Sequence, residues 1–208
     1  MATISPLAAR TRGVPRDPER TQERILSAAL REFSARGFAG ARVDRIARLA
    51  RVNKRMLYHY FGNKQDLFRE ILDRKLSERM AWAATAPDDP AENLVYWFRI
   101  ACADADWVRL MQWEALEADT ARVSRKVERE HAFGWAVDRL RERQARGLLA
   151  PDLDPAHTLL SMMALTTFPV AFPQITRLAT GLAPGDPAFR KGHADFLRRF
   201  ARLLRPGS

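Results

Sequence analysis

The chain has 208 residues, 47% of them apolar, enough for one or two domains with a sizeable core. Residues 1 to 80 hold 18 lysines and arginines against 9 acids, and the rest hold 17 against 16, so nearly all of the +10 net charge sits in the first part; this is the footprint of a nucleic-acid-binding module joined to a neutral one. The single cysteine, Cys102, excludes an intrachain disulfide and a one-chain cysteine-based zinc cluster, while the lack of an apolar leader core or of a run of about 18 apolar residues makes a cytoplasmic, unexported protein the expectation, with no membrane partner.

Residues 1–16 combine Pro6, Gly13 and Pro15 with three arginines and no periodicity, which reads as a disordered basic arm. Such an arm is either an inert solvated tail or a strand of charge lying along phosphates or in a minor groove. Asp17-Pro18 supplies an N-cap and a first-turn proline; Ile25, Ala29 and Phe33, flanked by Leu26 and Leu30, carry that helix to Gly37, a terminating glycine with Phe38 behind it. Val43, Ile46, Ala47 and Ala50 then form the apolar stripe of a short helix, followed by a turn at Arg51 and Val52.

Asn53 caps a second short helix with Leu57, Tyr60 and Phe61 inward and Lys54, Arg55, Tyr58 and His59 pointing elsewhere. Two short helices, a tight turn and a basic, aromatic outer face predict a helix-turn-helix. Lys54 and Arg55 can pair with phosphate or with guanine O6 and N7, and Tyr58 lies about one turn later on the same side. Gly62 is expected to end the helix in a left-handed cap. Asn63 and Asp66 make a capping box that places Lys64 at a helix N-terminus, where free N–H groups favour phosphate.

Leu67, Phe68, Ile71, Leu72, Leu76 and Met80 predict a long lever helix that stops before Pro87. The Asp-Pro opening recurs at Asp89-Pro90, Asp154-Pro155 and Asp186-Pro187 and punctuates the chain into further helices, with no run that alternates like a strand. The stripe Leu94, Val95, Phe98, Cys102 leads, after a break near residues 104–106, to Trp107, Leu110, Met111 and Leu116. A charged helix is expected from about Thr120 to Arg146, with Val123, Val127, Phe133, Val137 and Leu140 inward, ending at Gly147. Residues 155–180 are strongly apolar, and Pro169 and Pro173 must kink or interrupt them. The last helix sets Phe189, Phe196, Leu197, Phe200, Leu203 and Leu204 on one broad face. Two apolar faces at the end of the chain exceed what one small core requires and suggest a subunit interface.

The stretch from about Thr21 to Leu72 resembles the DNA-binding domain of the TetR family of bacterial transcriptional regulators. The matching pieces are Gly37-Phe38 at the end of the first helix, VDRIARLARV, the LYHYF core of the recognition helix, and Lys64 three residues after Phe61. The resemblance implies an all-α fold: an N-terminal three-helix helix-turn-helix domain (residues 17–62) and a C-terminal helical domain for effector binding and dimerisation (63–208). It implies that Lys54, Arg55, Met56 and Tyr58 face bases, with His59 beside them, and that Tyr60 and Lys64 hold phosphates. Arg51 departs from the family's usual turn glycine, which implies a strained or reshaped turn. Ala41 and Arg42 replace the usual Thr/Ser pair, leaving Arg42 as a phosphate contact in place of a hydroxyl.

By the same resemblance the protein is a repressor released from a palindromic operator in duplex DNA by a small apolar effector, with no cofactor or metal. Trp97, Trp107, Met111, Trp113, Glu114, Phe133, Met162 and Phe168 are candidates for the effector pocket, although each taken singly suits an ordinary core. Glu114 either meets a cationic ligand or pairs with an arginine such as Arg109. Leu159, Met163, Phe196, Phe200 and Leu203 are candidates for the interface of a homodimer. Cys102 reads as an inert thiol, and His131, His157 and His193 lack metal-ligand spacing. An enzyme would need a catalytic constellation that the sequence does not offer, and a peripheral membrane protein would need a basic helix with a large apolar face.

Overall fold

Proline in the first turn, a side-chain cap just before it, or both mark where most of the described helices begin. The computed structural model describes residues 17–117 and 125–206, and all the regular structure among them is helical. The helices are α1 (Pro18–Gly40), α2 (Val43–Leu49), α3 (Lys54–Phe61), α4 (Lys64–Thr85), α5 (Pro90–Ala103), α6 (Ala105–Glu117), α7 (Lys126–Ala145), α8 (Pro155–Ala171), α9 (Pro173–Thr180) and α10 (Pro187–Arg202). Asp17, Asp89 and Asp154 each accept first-turn N–H groups, as their Asp-Pro pairs predict. Asp186 differs: its carboxylate accepts from Ala183 N–H at 2.7 Å, so it closes the preceding turn instead of capping α10. The basic arm (1–16) and the expected helix start at Thr120, with Val123, lie outside the described residues.

Two hydrophobic cores result. The first joins Ile25, Ala29 and Phe33 of α1 to Ile46 of α2, Leu57 of α3, Leu67, Ile71 and Leu72 of α4, and Trp107 and Leu110 of α6. The second joins Leu94, Val95 and Phe98 of α5 to Leu140, Leu149, Met162, Phe189 and Leu197. Helix α6 therefore roots the C-terminal half in the core of the first three helices. Polar bonds fix the same seam: Ser34 Oγ donates to Asp106 at 2.9 Å, and Trp113 Nε1 donates to the Ser34 carbonyl at 3.1 Å.

The lever α4 is tied down further along by charge. Asp104, at the α5–α6 junction, takes Lys75 at 3.1 Å and Arg79 at 3.6 Å. The Arg79 guanidinium lies 4.8 Å from the Trp107 ring, and burial lowers its pKa to about 10, which leaves it a cation at neutral pH.

Several stripe residues turn out to face water. Met80 is 55% exposed, because each i+4 step advances the stripe about 40° round the helix and carries it off the Leu72 direction. Leu116, Val127 and Phe133 are also exposed, so α6 and α7 bury their opposite ends, at Leu110 and Leu140.

The proline-rich stretch breaks at one place only. Pro173 opens α9 after an 88° bend, whereas Pro169 stays inside α8. A proline cannot donate to the carbonyl four residues back, which here is Leu165. His193 Nε2 of α10 donates to that carbonyl at 3.0 Å, so a tertiary contact supplies the missing partner. No single helix among the described residues is long and apolar enough to cross a membrane.

Candidate nucleic-acid interface

The helix-turn-helix is built on Leu57, which is fully buried and anchors α3 over the first core, with Tyr60 and Phe61 half-buried beside it. Asn53 caps α3 by accepting Met56 N–H at 2.7 Å. The opposite face carries Lys54, Arg55, Tyr58 and His59, all exposed, with Met56 half-buried at its edge. Lys54 pairs with Asp44 of α2 at 2.9 Å, and that bond raises the lysine's pKa, tying the first turn of α3 to α2.

The turn between α2 and α3 answers the question raised by its missing glycine. Arg51 has φ +53°, the left-handed conformation that the departure implies. Its N–H bonds to the Arg48 carbonyl at 3.1 Å and Val52 N–H bonds to Ala47 at 3.0 Å, a Schellman motif with arginine in the glycine position. Arg24 of α1 donates to the carbonyls of Ala50 and Arg51, the latter at 3.0 Å, and so clamps the turn from outside. Sequence reasoning missed Arg24, because nothing local relates it to a turn 26 residues away.

It missed Glu32 as well. Helix α2 begins at Arg42 without any side-chain cap of its own. The carboxylate of Glu32, only 3% exposed, reaches across from α1 to accept Arg42 N–H at 3.2 Å and lies 3.6 Å from Arg45. A buried acid on α1 thus does the capping that a local hydroxyl would do, and the Arg42 side chain is left exposed. An acid among the apolar positions of the first helix was the available signal.

At the far end of α3, Gly62 differs from expectation. Its φ of 71° is positive but its ψ of −75° is not left-handed helical, and Asn63 N–H bonds to the Phe61 carbonyl at 2.8 Å, making a tight γ-turn. Asn63 accepts from Gln65 and Asp66 N–H at 2.8 and 2.9 Å, while its amide meets the Asp66 carboxylate, so the capping box closes through side chains. Lys64 opens α4 as predicted, but its ammonium folds back over the Phe38 ring at 4.6 Å and toward the Ala39 carbonyl at 3.4 Å. Tyr60 is half-buried against His59 and Phe61.

Residues 25–71 match the family model described as bacterial regulatory proteins, tetR family, and residues 89–200 match the one described as tetracyclin repressor-like, C-terminal domain. The chain belongs to the TetR family. It is a DNA-binding transcriptional repressor of the helix-turn-helix type, and the family is not enzymatic. The HTH-type transcriptional repressor SCO4008 of Streptomyces coelicolor is 34% identical over 189 residues, 91% of this chain and 97% of the relative. The crystal structure of the transcriptional regulator SCO4942 from the same organism superposes with a TM-score of 0.74 at 28% identity, covering 90% of this chain and 99% of that one. FadR from Bacillus subtilis, in complex with stearoyl-CoA, has the same fold at a TM-score of 0.61 and 19% identity, over 84% of this chain and 96% of that one.

The residues considered for an effector pocket are not gathered round one cavity in this repressor. Trp107 and Met111 pack in the first core and Met162 in the second, while Phe133 and Phe168 are a little under half exposed. Trp97 and Trp113 are half-buried. Glu114 pairs with Arg129 of α7, at 2.7 and 3.2 Å, and not with Arg109. Of the interface candidates, Met163, Phe196 and Leu203 are exposed, and Leu159 and Phe200 are half-buried. Cys102 is a half-buried thiol whose pKa burial pushes up, with Arg190 opposing, so it stays neutral at pH 7. His157 bonds to Asp154 and His193 to Leu165.

Proposed function

We propose that this TetR-family repressor binds a palindromic operator as a homodimer in the cytoplasm, on the nucleoid, and leaves it when a small apolar effector enters the middle helices of residues 63–208. The observation that carries the reading is the outer face of α3. Lys54, Arg55, Tyr58 and His59 stand exposed on a helix whose Leu57 is fully buried, so cations and aromatic edges are offered outward while the core side is sealed. Arg55 and Tyr58, with Lys54, Met56 and His59, read base edges. Arg42, Tyr60 and Lys64 hold phosphates, Lys64 by swinging its ammonium off the Ala39 carbonyl onto the backbone of the duplex.

Dimerisation through Met163, Phe196 and Leu203, with Leu159 and Phe200 beneath them, puts two recognition helices on one side of the molecule, about one DNA turn apart. An apolar effector is supported by the aromatic and methionine content of α5 to α8 and, through its acyl chain alone, by the stearoyl-CoA complex of a protein that shares this fold.

Footprinting on the repressor's own genomic neighbourhood, repeated across a salt series, tests the reading. A discrete protected palindrome is expected, with log affinity falling against log salt by about 0.9 per phosphate neutralised. A flat salt response or unprotected DNA would overturn it.

A further inference from the structure

A recess of about 340 Å³ opens between the C-terminal half of α5 and the N-terminal half of α10. Phe98, Cys102 and Ala194 form its floor, and Arg99, Arg190, Lys191 and Arg198 stand round it with one acid, Asp195. We propose that this recess binds an organic anion: a carboxylate or similar group held by Arg99, Arg190 and Lys191, carrying a small apolar body that lies on the floor. This goes beyond the effector reading and does not depend on it, since the recess shares no residue with the aromatic and methionine set considered above.

The charges argue for an anion. Arg198, on the same wall, is already held by Glu92 at 2.7 Å and Asp195 at 3.3 Å. Neither Arg99 nor Lys191 has an ion pair or a side-chain hydrogen bond among the described residues, and Arg190 donates only from Nε, to the Pro184 carbonyl at 3.3 Å. Glu92, whose charge Arg99 feels, is bridged by Arg198 through both of its oxygens. The placement is also electrostatically costly. Arg190 and Lys191 lie near the N-terminus of α10, the positive end of its dipole, and the first turn of that helix holds no acid. The N-cap acid Asp186 is turned away to Ala183, the one acid in the lining, Asp195, is paired with Arg198 at 3.3 Å, and the neutral Cys102 thiol supplies no counter-charge. An anion in the recess relieves the Arg99, Arg190 and Lys191 charges together.

The floor argues for an organic one. Phe98 and Ala194 are already almost fully buried, so inorganic phosphate would satisfy the cations and leave chiefly the half-buried Cys102 thiol against water. The space equals roughly eleven waters at about 30 Å³ each, enough for a benzoate or a medium-chain carboxylate. It also stays open in the proposed dimer. Ala194 and Phe196 are two residues apart, about 200° round the helix, so copies that meet through Phe196 and Phe200 leave this flank free.

Titration calorimetry on the full-length repressor tests the site with sodium benzoate and sodium octanoate, against benzamide, 1-octanol and inorganic phosphate at matched ionic strength. Arg99→Gln with Lys191→Gln is the informative variant, because neither side chain bonds to the fold and neither lies on the DNA-binding face. Saturable binding of at least one carboxylate is expected, at least tenfold tighter than its neutral analogue and than phosphate. The double variant should lose at least tenfold in that affinity while keeping its melting temperature and operator affinity. Failure of both carboxylates to bind, equal binding of the neutral analogues, phosphate as tight as benzoate, or a double variant that keeps full affinity would each overturn the proposal. Operator affinity measured with the carboxylate bound separates the two readings: saturable binding without release upholds the recess and places the effector elsewhere.

Discussion

The outer face of α3 and the outer faces of α8 and α10 both meet water, yet they are built from opposite chemistries. On α3 the exposed positions are Lys54, Arg55, Tyr58 and His59; on α8 and α10 they include Leu160, Met163, Phe196 and Leu203. Helices α3 and α10 are anchored in the same way, by fully buried leucines, Leu57 in one case and Leu197 in the other. The contrast lies wholly in what is turned outward. A cationic and aromatic face is solvated at no cost until it meets phosphates and base edges, whereas exposed apolar side chains stay costly until a second protein surface covers them.

The largest effect should come from the apolar side. Phe196→Glu with Phe200→Glu is expected to give monomers in sedimentation and to weaken specific operator binding by about 10²- to 10⁴-fold, because the second half-site no longer adds its contacts. A charged variant that still dimerises would move the interface to another part of the chain. On the α3 side, Arg55→Ala or Tyr58→Ala should change which sequences are preferred, at about 1–3 kcal/mol for a lost base contact. Lys64→Ala should instead weaken all sites about equally and lower the salt slope by about 0.9. The two faces can thus be told apart by selection from randomised duplexes: α3 variants shift the consensus, and Phe196 variants lose affinity without shifting it.

Smaller changes probe what holds each face in place. His193→Ala removes the donor that satisfies the Leu165 carbonyl above Pro169, and it should cost about 1–3 kcal/mol in denaturant melts. Arg51→Gly should do the reverse beneath the other face, adding about 1 kcal/mol by relieving the left-handed turn while operator preference stays the same. Acid should act on the C-terminal half through Asp88, which takes Arg139 at 3.0 Å and Arg143 at 3.4 Å and also bonds Arg146. The Arg146 bond, foremost, holds the Asp88 carboxyl below its ordinary 3.8. Its contribution is therefore complete above pH 3.8 and fades as pH falls through the lowered value, so the melting temperature of the native protein should drop more steeply there than that of Asp88→Asn.

Local chemistry by itself determined the recognition helix α3. Asn53 and Asn63 act within a few residues of their own backbone, and Leu57 and Tyr58 separate inside from outside by a periodicity that needs no partner to be read. The Asp-Pro helix starts and the break after Asp104 were legible for the same reason. The tertiary structure decided what depends on distant segments. Arg24 clamps a turn 26 residues away, Glu32 caps a helix it does not belong to, and His193 satisfies a carbonyl 28 residues earlier. Sequence periodicity placed Phe196 and Leu197 together on one broad face, and only the packing of α10 against α5 sent Leu197 into the core and left Phe196 in water. A stripe shows that a helix has an apolar side. How much of that side is covered depends on which neighbour arrives and at what angle, and that is a property of the assembled chain.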